Sequence, residues 1–99
     1  MRQGTTPTHE FALPFDVSAI AEVMIIYAQN DVQLFTKETA DCTLEGRTVS
    51  VTLTQAETFM FEQHNNVQIQ LRVLTTAGEA FASDVYSASV GRCLNEEVI

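Results

Sequence analysis

The alternation of apolar and polar side chains along Val67–Thr75 is the feature that most constrains the fold. Its apolar positions are Val67, Ile69, Leu71 and Val73, and its polar positions are Gln68, Gln70 and Arg72. A two-residue period is that of a β-strand with one buried face. Arg47–Leu53 repeats the pattern, with Val49, Val51 and Leu53 on its apolar side. The chain therefore contains half-buried strands of the kind found in antiparallel sheets.

Turn signals separate further strand candidates along the chain. The seven candidates are Thr8–Leu13, Glu22–Gln29, Val32–Lys37, Thr39–Leu44, Arg47–Leu53, Val67–Thr75 and Ala80–Val90. The last of them changes phase, which predicts a bulge near Ser83-Asp84, with Phe81 and Val85 on one side and Tyr86 on the other. Short strands at this spacing are typical of sandwiches and small barrels. We predict an all-β, immunoglobulin-like β-sandwich over residues 8–90, with a small β-barrel as the alternative.

One short helical turn is predicted near residues 54–60. Thr54-Gln55-Ala56-Glu57 forms a capping box, in which the threonine caps the helix start and Glu57 reaches back. This turn would carry the chain from one sheet to the other. We expect it to direct Phe59, Met60 and Phe61 inward.

Length and composition indicate one folded domain with two short ends. The chain has 99 residues, 45% of them hydrophobic, which is typical of a single globular domain. Residues 1–7 are predicted to be a flexible N-terminal segment, and residues 91–99 a C-terminal tail. The first residues lack the apolar region of a signal peptide, so we expect a cytoplasmic protein. Reduced Cys42 and Cys93 fit that setting, although their spacing does not decide whether they pair.

The net charge of −8 and the length of the apolar runs argue against two classes of partner. A polyanion would be repelled, because nucleic-acid binding needs Lys and Arg to neutralise phosphates, and the chain has only five such residues. No apolar run is long enough to cross a bilayer. We therefore expect neither nucleic acid nor membrane as a partner.

Motifs for catalysis are missing from the sequence. His9, expected on the polar side of the first strand or just before it, and His64, expected in a turn, have no metal-ligand neighbours at typical spacing. Neither cysteine lies in a catalytic signature, and Asp41 with Glu45 lacks the spacing of a calcium loop. We predict a non-enzymatic protein without metal or cofactor.

Two surfaces remain as candidate interfaces. Gln68, Gln70 and Arg72, together with Thr48, Ser50 and Thr52, are predicted to form a polar face without lysine, the residue that commonly protects sheet edges from association. A plain solvated face is the alternative. Apolar Leu94, Val98 and Ile99 follow the last strand, where they would contact a partner or fold back onto the domain. Tyr27 and Tyr86 are both expected in the core, which disfavours a glycan-binding surface.

Several stretches resemble short prophage-encoded proteins of Gram-positive bacteria. These stretches are Gly4–Asp16, Cys42–Gly46, Val49–Gln55, Val67–Thr75 and Val90–Val98. More distantly, the chain is similar to the immunoglobulin-like N-terminal domain of phage baseplate upper proteins, although it ends without their long downstream segment. The resemblance implies a tail- or baseplate-associated structural module that binds other phage structural proteins or itself. It would reside in the bacterial cytoplasm before assembly, or in the virion. A ligand-binding or adhesion module is the alternative.

Overall fold

Two antiparallel β-sheets packed face to face make up the computed structural model, which describes residues 1–99. The strands are β1 (Thr8–Ala12), β2 (Ile20–Gln29), β3 (Val32–Glu38), β4 (Cys42–Glu45), β5 (Thr48–Thr52), β6 (Val67–Thr75), β7 (Ala80–Ala82) and β8 (Tyr86–Ala88). A single helical turn, α1 (Gln55–Thr58), joins β5 to β6, and two short 3-10 turns lie at Val17–Ala19 and Thr39–Asp41. The strand bounds agree with the predicted candidates to within a few residues.

The strand order identifies the type of sandwich. One sheet has the order β1-β5-β4, and the other has the order β3-β2-β6-β7, with β8 also paired to β6. If β1 to β7 are taken as strands B, C, C′, D, E, F and G, these orders are B-E-D and C′-C-F-G, the arrangement of an immunoglobulin sandwich. The prediction of an all-β, immunoglobulin-like sandwich is confirmed. No strand equivalent to A pairs with β1, so the outer edge of β1 is free.

The core lies between the sheets and is built from the alternate positions of the strands. It contains Phe11, Val23, Ile25, Tyr27, Val49, Val51, Leu53, Phe61, Val67, Ile69, Leu71, Val73 and Val90. All the inward positions predicted for β5 and β6 belong to this set, because their two-residue period places every second side chain on one face. The hairpin between β2 and β3 closes through Asn30 and Asp31, whose φ angles of 52° and 61° are those of a type I′ turn.

The last strand is interrupted where the bulge was predicted. Ser83 donates its backbone N–H to the Leu71 carbonyl (2.8 Å), and its hydroxyl accepts from the Leu71 N–H (3.0 Å). These two bonds separate β7 from β8. Phe81 pairs with Val73 and Tyr86 pairs with Ile69, so both lie on the inner side of the sheet. The expectation that Phe81 and Tyr86 face opposite sides is wrong, because the break restores the phase after Val85.

The predicted capping box forms at α1. The Thr54 hydroxyl accepts from the Glu57 N–H, and the Glu57 carboxylate accepts from the Thr54 N–H. Phe61 is buried, but Met60 is 49% exposed, so the inward placement of Met60 was wrong. Successive residues of a helical turn point about 100° apart, and one turn cannot direct adjacent side chains into the same core.

The N-terminal segment lies against the sandwich. The buried Gln3 donates its side-chain amide to the Phe61 carbonyl (2.6 Å), and Gly4 donates its N–H to the Thr58 hydroxyl (2.9 Å). Arg2 forms a parallel bridge with Gly91. Residues 1–7, predicted as a flexible segment, are thus hydrogen-bonded to the α1 region and to the start of the tail, because these contacts satisfy polar groups that would otherwise be buried unpaired.

Candidate functional site

Gln68, Gln70 and Arg72 lie side by side on the outer face of the five-stranded sheet. They alternate with the buried residues of β6, as predicted. Each faces a residue of β2: the pairs are Gln68 with Ala28, Gln70 with Ile26 and Arg72 with Met24. Met24, Ile26 and Ala28 are only half-buried. The outer sheet face, defined by these six residues and Leu74, therefore mixes apolar and polar side chains.

Hydrogen bonds fix two of the three predicted polar residues. The Gln68 side chain accepts from the Asp31 N–H and donates to the Asp31 carboxylate, both at 2.9 Å, which holds the β2–β3 hairpin turn. Gln70 donates to the Ser83 carbonyl at 2.9 Å, at the break between β7 and β8. Arg72 makes no side-chain hydrogen bond or salt bridge within the chain and is exposed. Arg72 is thus the polar group of this face that is free to meet a partner.

Lysine is absent from the outer sheet face for a structural reason. Lys37, the single lysine of the chain, pairs with Ile25 and shares its inward direction. Its ammonium group contacts the Glu57 carboxylate at 2.7 Å, and its side chain is 11% exposed. The residue that most often discourages association is therefore unavailable at this surface.

The prediction that two sets of polar residues share one face was wrong. Thr48, Ser50 and Thr52 belong to β5 and face outward from the three-stranded sheet, on the opposite side of the molecule. Because the chain crosses between sheets at α1, outward residues of β5 and β6 cannot share a face. The two polar sets are separate surfaces.

A shallow depression of about 240 Å³ indents the outer sheet face. Its lining residues are Ile26, Ala28, Asp31, Gln33, Gln68, Gln70 and Val85. Val85 is more than half exposed at its rim. The outer sheet face therefore has both apolar area and a concave region.

The C-terminal tail forms a second exposed apolar group. Leu94 is 90% exposed, Val98 is 61% exposed, and Ile99 is fully exposed. Two hydrogen bonds anchor the end of the tail. The Ile99 N–H donates to the side-chain oxygen of Gln55 (2.8 Å), and the side-chain nitrogen of Gln55 donates to the Ile99 carbonyl (2.9 Å). No hydrogen bond joins the tail to Gln68, Gln70 or Arg72, so the six predicted interface residues fall on two sites rather than one.

Between the sheets lies a polar pair that the sequence analysis placed differently. His9 was expected on the polar side of β1, but it points inward, and its Nδ1 lies 2.7 Å from the Tyr27 hydroxyl. Burial, together with the N-terminal charge, lowers the pKa of His9. Burial is also the main cause that raises the pKa of Tyr27, with the nearby Cys42 and Glu57 adding to it. Both groups are therefore neutral, which suits a structural hydrogen bond in a core.

A groove of about 670 Å³ lies between the β1 edge of one sheet and the β7–β8 edge of the other. Ring contacts span it: Phe11 and Tyr86 lie 6.3 Å apart, and Phe15 and Phe81 lie 5.6 Å apart, between centroids. Tyr86 was predicted in the core but is 53% exposed, because no strand pairs with the free edge of β8. Sequence reasoning missed this groove, since only the pairing of strands reveals which edge lacks a neighbour.

The remaining cysteine and histidine side chains form no further candidate site. Cys42 and Cys93 are free thiols, and burial, with the nearby Asp41 adding to it, raises the pKa of Cys42. No three His, Cys, Asp or Glu side chains are grouped so that they could hold a metal ion. No helix has the length and apolar character needed to span a membrane. His64 is exposed in the loop before β6.

The strand order and the surfaces together define an immunoglobulin-like β-sandwich domain. No protein-family model and no curated protein sequence matches the chain. Among solved structures, it is similar to the V domain of amphioxus IgVJ-C2, with 12% identity, a TM-score of 0.37, and coverage of 91% of this chain and 96% of that one. The fold assignment rests on the order of the strands.

Proposed function

We propose that this domain is a non-enzymatic structural or assembly module that acts through protein–protein contacts on its outer sheet face. The observation that carries the proposal is the surface around Ile26 and Arg72, which combines half-buried apolar side chains, a free guanidinium and no lysine. Arginine and methionine are enriched in protein interfaces and the buried centre of an interface is more apolar than the rest of the surface, whereas lysine is depleted. The exposed Leu94, Val98 and Ile99 of the tail supply a second contact.

The setting we propose is the tail or baseplate of a bacteriophage or prophage particle, with other phage structural proteins or a second copy of this chain as partner. The resemblance of Val67–Thr75 and the other quoted stretches to prophage-encoded proteins supports this setting. The acidic surface is compatible with it, because a net charge of −8 keeps a free module soluble before assembly.

The test is capture of a partner by the purified chain. Wild-type protein is immobilised and exposed to the purified products of the neighbouring genes, and its mass in solution is measured by light scattering. We expect capture of at least one such protein, or a stable oligomer. A strict monomer that captures none of them would contradict the proposal.

Two substitutions locate the contact. Ile26→Lys places an ammonium group in the centre of the outer sheet face and should weaken binding by about 10-fold or more, because a lysine there must be desolvated. Ser50→Lys is the matched control, since Ser50 faces outward on the opposite sheet. Equal losses in both variants would place the contact elsewhere. Leu74→Lys, at a more exposed position of the same face, replaces Ile26→Lys if that variant does not fold.

A further inference from the structure

The groove between β1 and β7–β8 lies where the sandwich lacks a strand. β1 has β5 as its only neighbour, and β7 and β8 have only β6. Two strand edges therefore border one apolar cavity. This surface is distinct from the outer sheet face.

The pairing of β1 with β5 shows which backbone groups are left free. Leu13 donates its N–H to the Arg47 carbonyl, and the Pro7 carbonyl accepts from Leu53. In an antiparallel pair, alternate residues bond to the neighbour. Residues 7, 9, 11 and 13 thus face β5, and the N–H and C=O groups of Thr8, Glu10 and Ala12 point to the free edge. These three alternate residues leave their backbone groups free to bond with an added strand.

The β1 edge is the longest free strand edge without a register shift, since β7 and β8 have only three residues each. The β3 edge is distorted by a register shift opposite Tyr27 and Ala28, and the β4 edge is only four residues long. β1 pairs with β5 over five residues without a shift. A regular free edge favours addition of another strand.

The groove determines the chemistry of such a guest. Ten of its fifteen lining residues are hydrophobic, and no lysine or arginine is among them. Side chains of a guest strand that point inward would join Phe11, Leu13 and Tyr86. Those that point outward would stand beside Thr8, Glu10 and Ala12, where the Glu10 carboxylate favours a cation. The chain itself carries −8, which disfavours an acidic guest.

We infer that this groove accepts an extended segment of another protein, in which large apolar residues alternate with Lys or Arg, as an added β-strand along β1. The segment satisfies the free backbone groups of Thr8, Glu10 and Ala12 and covers the half-exposed Phe81 and Tyr86. Backbone bonding supplies affinity, and the alternating side chains supply selectivity.

The test uses a synthetic library of peptides about nine residues long, in which Val, Ile, Leu or Phe alternates with Lys or Arg. The library is selected on immobilised protein, and the binders are titrated by fluorescence anisotropy. Ala12→Pro removes a free-edge N–H without removing a bond to β5 and should weaken binding by about 10-fold or more. Ala12→Val keeps that N–H and should leave affinity within about 2-fold.

A second pair of variants keeps the test decisive if Ala12→Pro does not fold. Tyr86→Asp places a charge against the groove and should abolish binding, whereas Tyr86→Phe, which removes a hydroxyl without a partner, should not. A library without binders, or binders indifferent to both Ala12→Pro and Tyr86→Asp, would overturn the inference. A peptide of residues 94–99 is tested in the same way. If it binds and Ala12→Pro abolishes its binding, the guest is a second copy of this chain, and the inferred partner is wrong.

Discussion

His9 and Tyr27 connect the two sheets through a hydrogen bond of 2.7 Å between Nδ1 and the phenol oxygen. His9 belongs to β1, and Tyr27 belongs to β2. Tyr27 is fully buried and stacks on Phe35, with ring centroids 4.9 Å apart. The hydrogen bond satisfies the one polar atom of this aromatic cluster, which would otherwise be buried without a partner.

The lowered pKa of His9 makes the stability of the fold depend on pH. Below the unfolded-state pKa of 6.5, the unfolded chain binds a proton that the folded chain resists. The free energy of unfolding should therefore fall as the pH drops through 6.5 and level off below the folded-state pKa. Urea unfolding at several pH values measures this slope.

The control for that slope is His9→Gln, which keeps a hydrogen-bonding side chain but does not titrate. The difference between wild type and His9→Gln isolates the histidine from the carboxylates, which titrate at lower pH. Identical slopes in this range would show that His9 is as accessible to protons in the folded chain as in the unfolded one.

The Lys37–Glu57 contact should stabilise the junction between β3 and α1. Partial burial raises the pKa of Glu57, but hydrogen bonds from Lys37 and Thr54 outweigh that effect and lower the pKa overall. Glu57→Gln should cost about 1 to 3 kcal/mol at neutral pH, since it leaves the Lys37 charge partly buried without its partner. The wild-type contribution should be lost as the pH falls through the lowered pKa of Glu57. Chemical denaturation at pH 7 and in acid tests both points, with Glu45→Gln as control, since the Glu45 side chain is exposed and makes no hydrogen bond or salt bridge.

Two glycines test whether the N-terminal segment is part of the fold. Gly4 and Gly46 both have positive φ, 73° and 58°. An added Cβ at Gly4 would lie 2.7 Å from the Phe59 ring, whereas at Gly46 it would meet nothing within 4 Å. Gly46→Ala should cost about 1 kcal/mol from backbone strain alone, and Gly4→Ala should cost more. A thermal unfolding midpoint for Gly4→Ala equal to that of wild type, with the midpoint of Gly46→Ala lowered, would favour the flexible segment that the sequence predicts.

The apolar tail should contribute to binding rather than to folding. Removal of residues 94–99 deletes three exposed apolar side chains and the Ile99–Gln55 bonds. The free energy of unfolding should change by less than about 1 kcal/mol, because exposed groups bury little surface on folding. Partner capture should weaken, because the tail supplies a second contact, and unchanged capture would contradict that role. A large loss of stability would instead show that the tail folds back onto the domain.

The sequence predicted the strands well because their signals are local. The alternation of β6 and the capping box at Thr54 each depend on residues that are close along the chain. The inward turn of His9 and Lys37 was not predicted, because polar residues are assumed to face water unless a distant partner is known. Those partners, Tyr27 and Glu57, are 18 and 20 positions away in the chain.

The candidate site was predicted only in part for the same reason. The outward direction of Gln68, Gln70 and Arg72 follows from the strand period. Their separation from Thr48, Ser50 and Thr52 depends on which strands share a sheet, and that order is not local. The groove exists because β1 has no neighbouring strand on one side, and a sequence pattern contains no signal for a strand that is absent.

A matched pair of arginine variants tests the central claim, that the outer sheet face binds a protein, most directly. Arg72 and Arg47 are both exposed and outside the single salt bridge, but only Arg72 lies on that face. The affinity of wild type, Arg72→Glu and Arg47→Glu for the captured partner, or for a second copy, is measured by titration. We expect Arg72→Glu to weaken binding by about 10-fold or more and Arg47→Glu to leave it unchanged. Equal affinities for the two variants would contradict the claim.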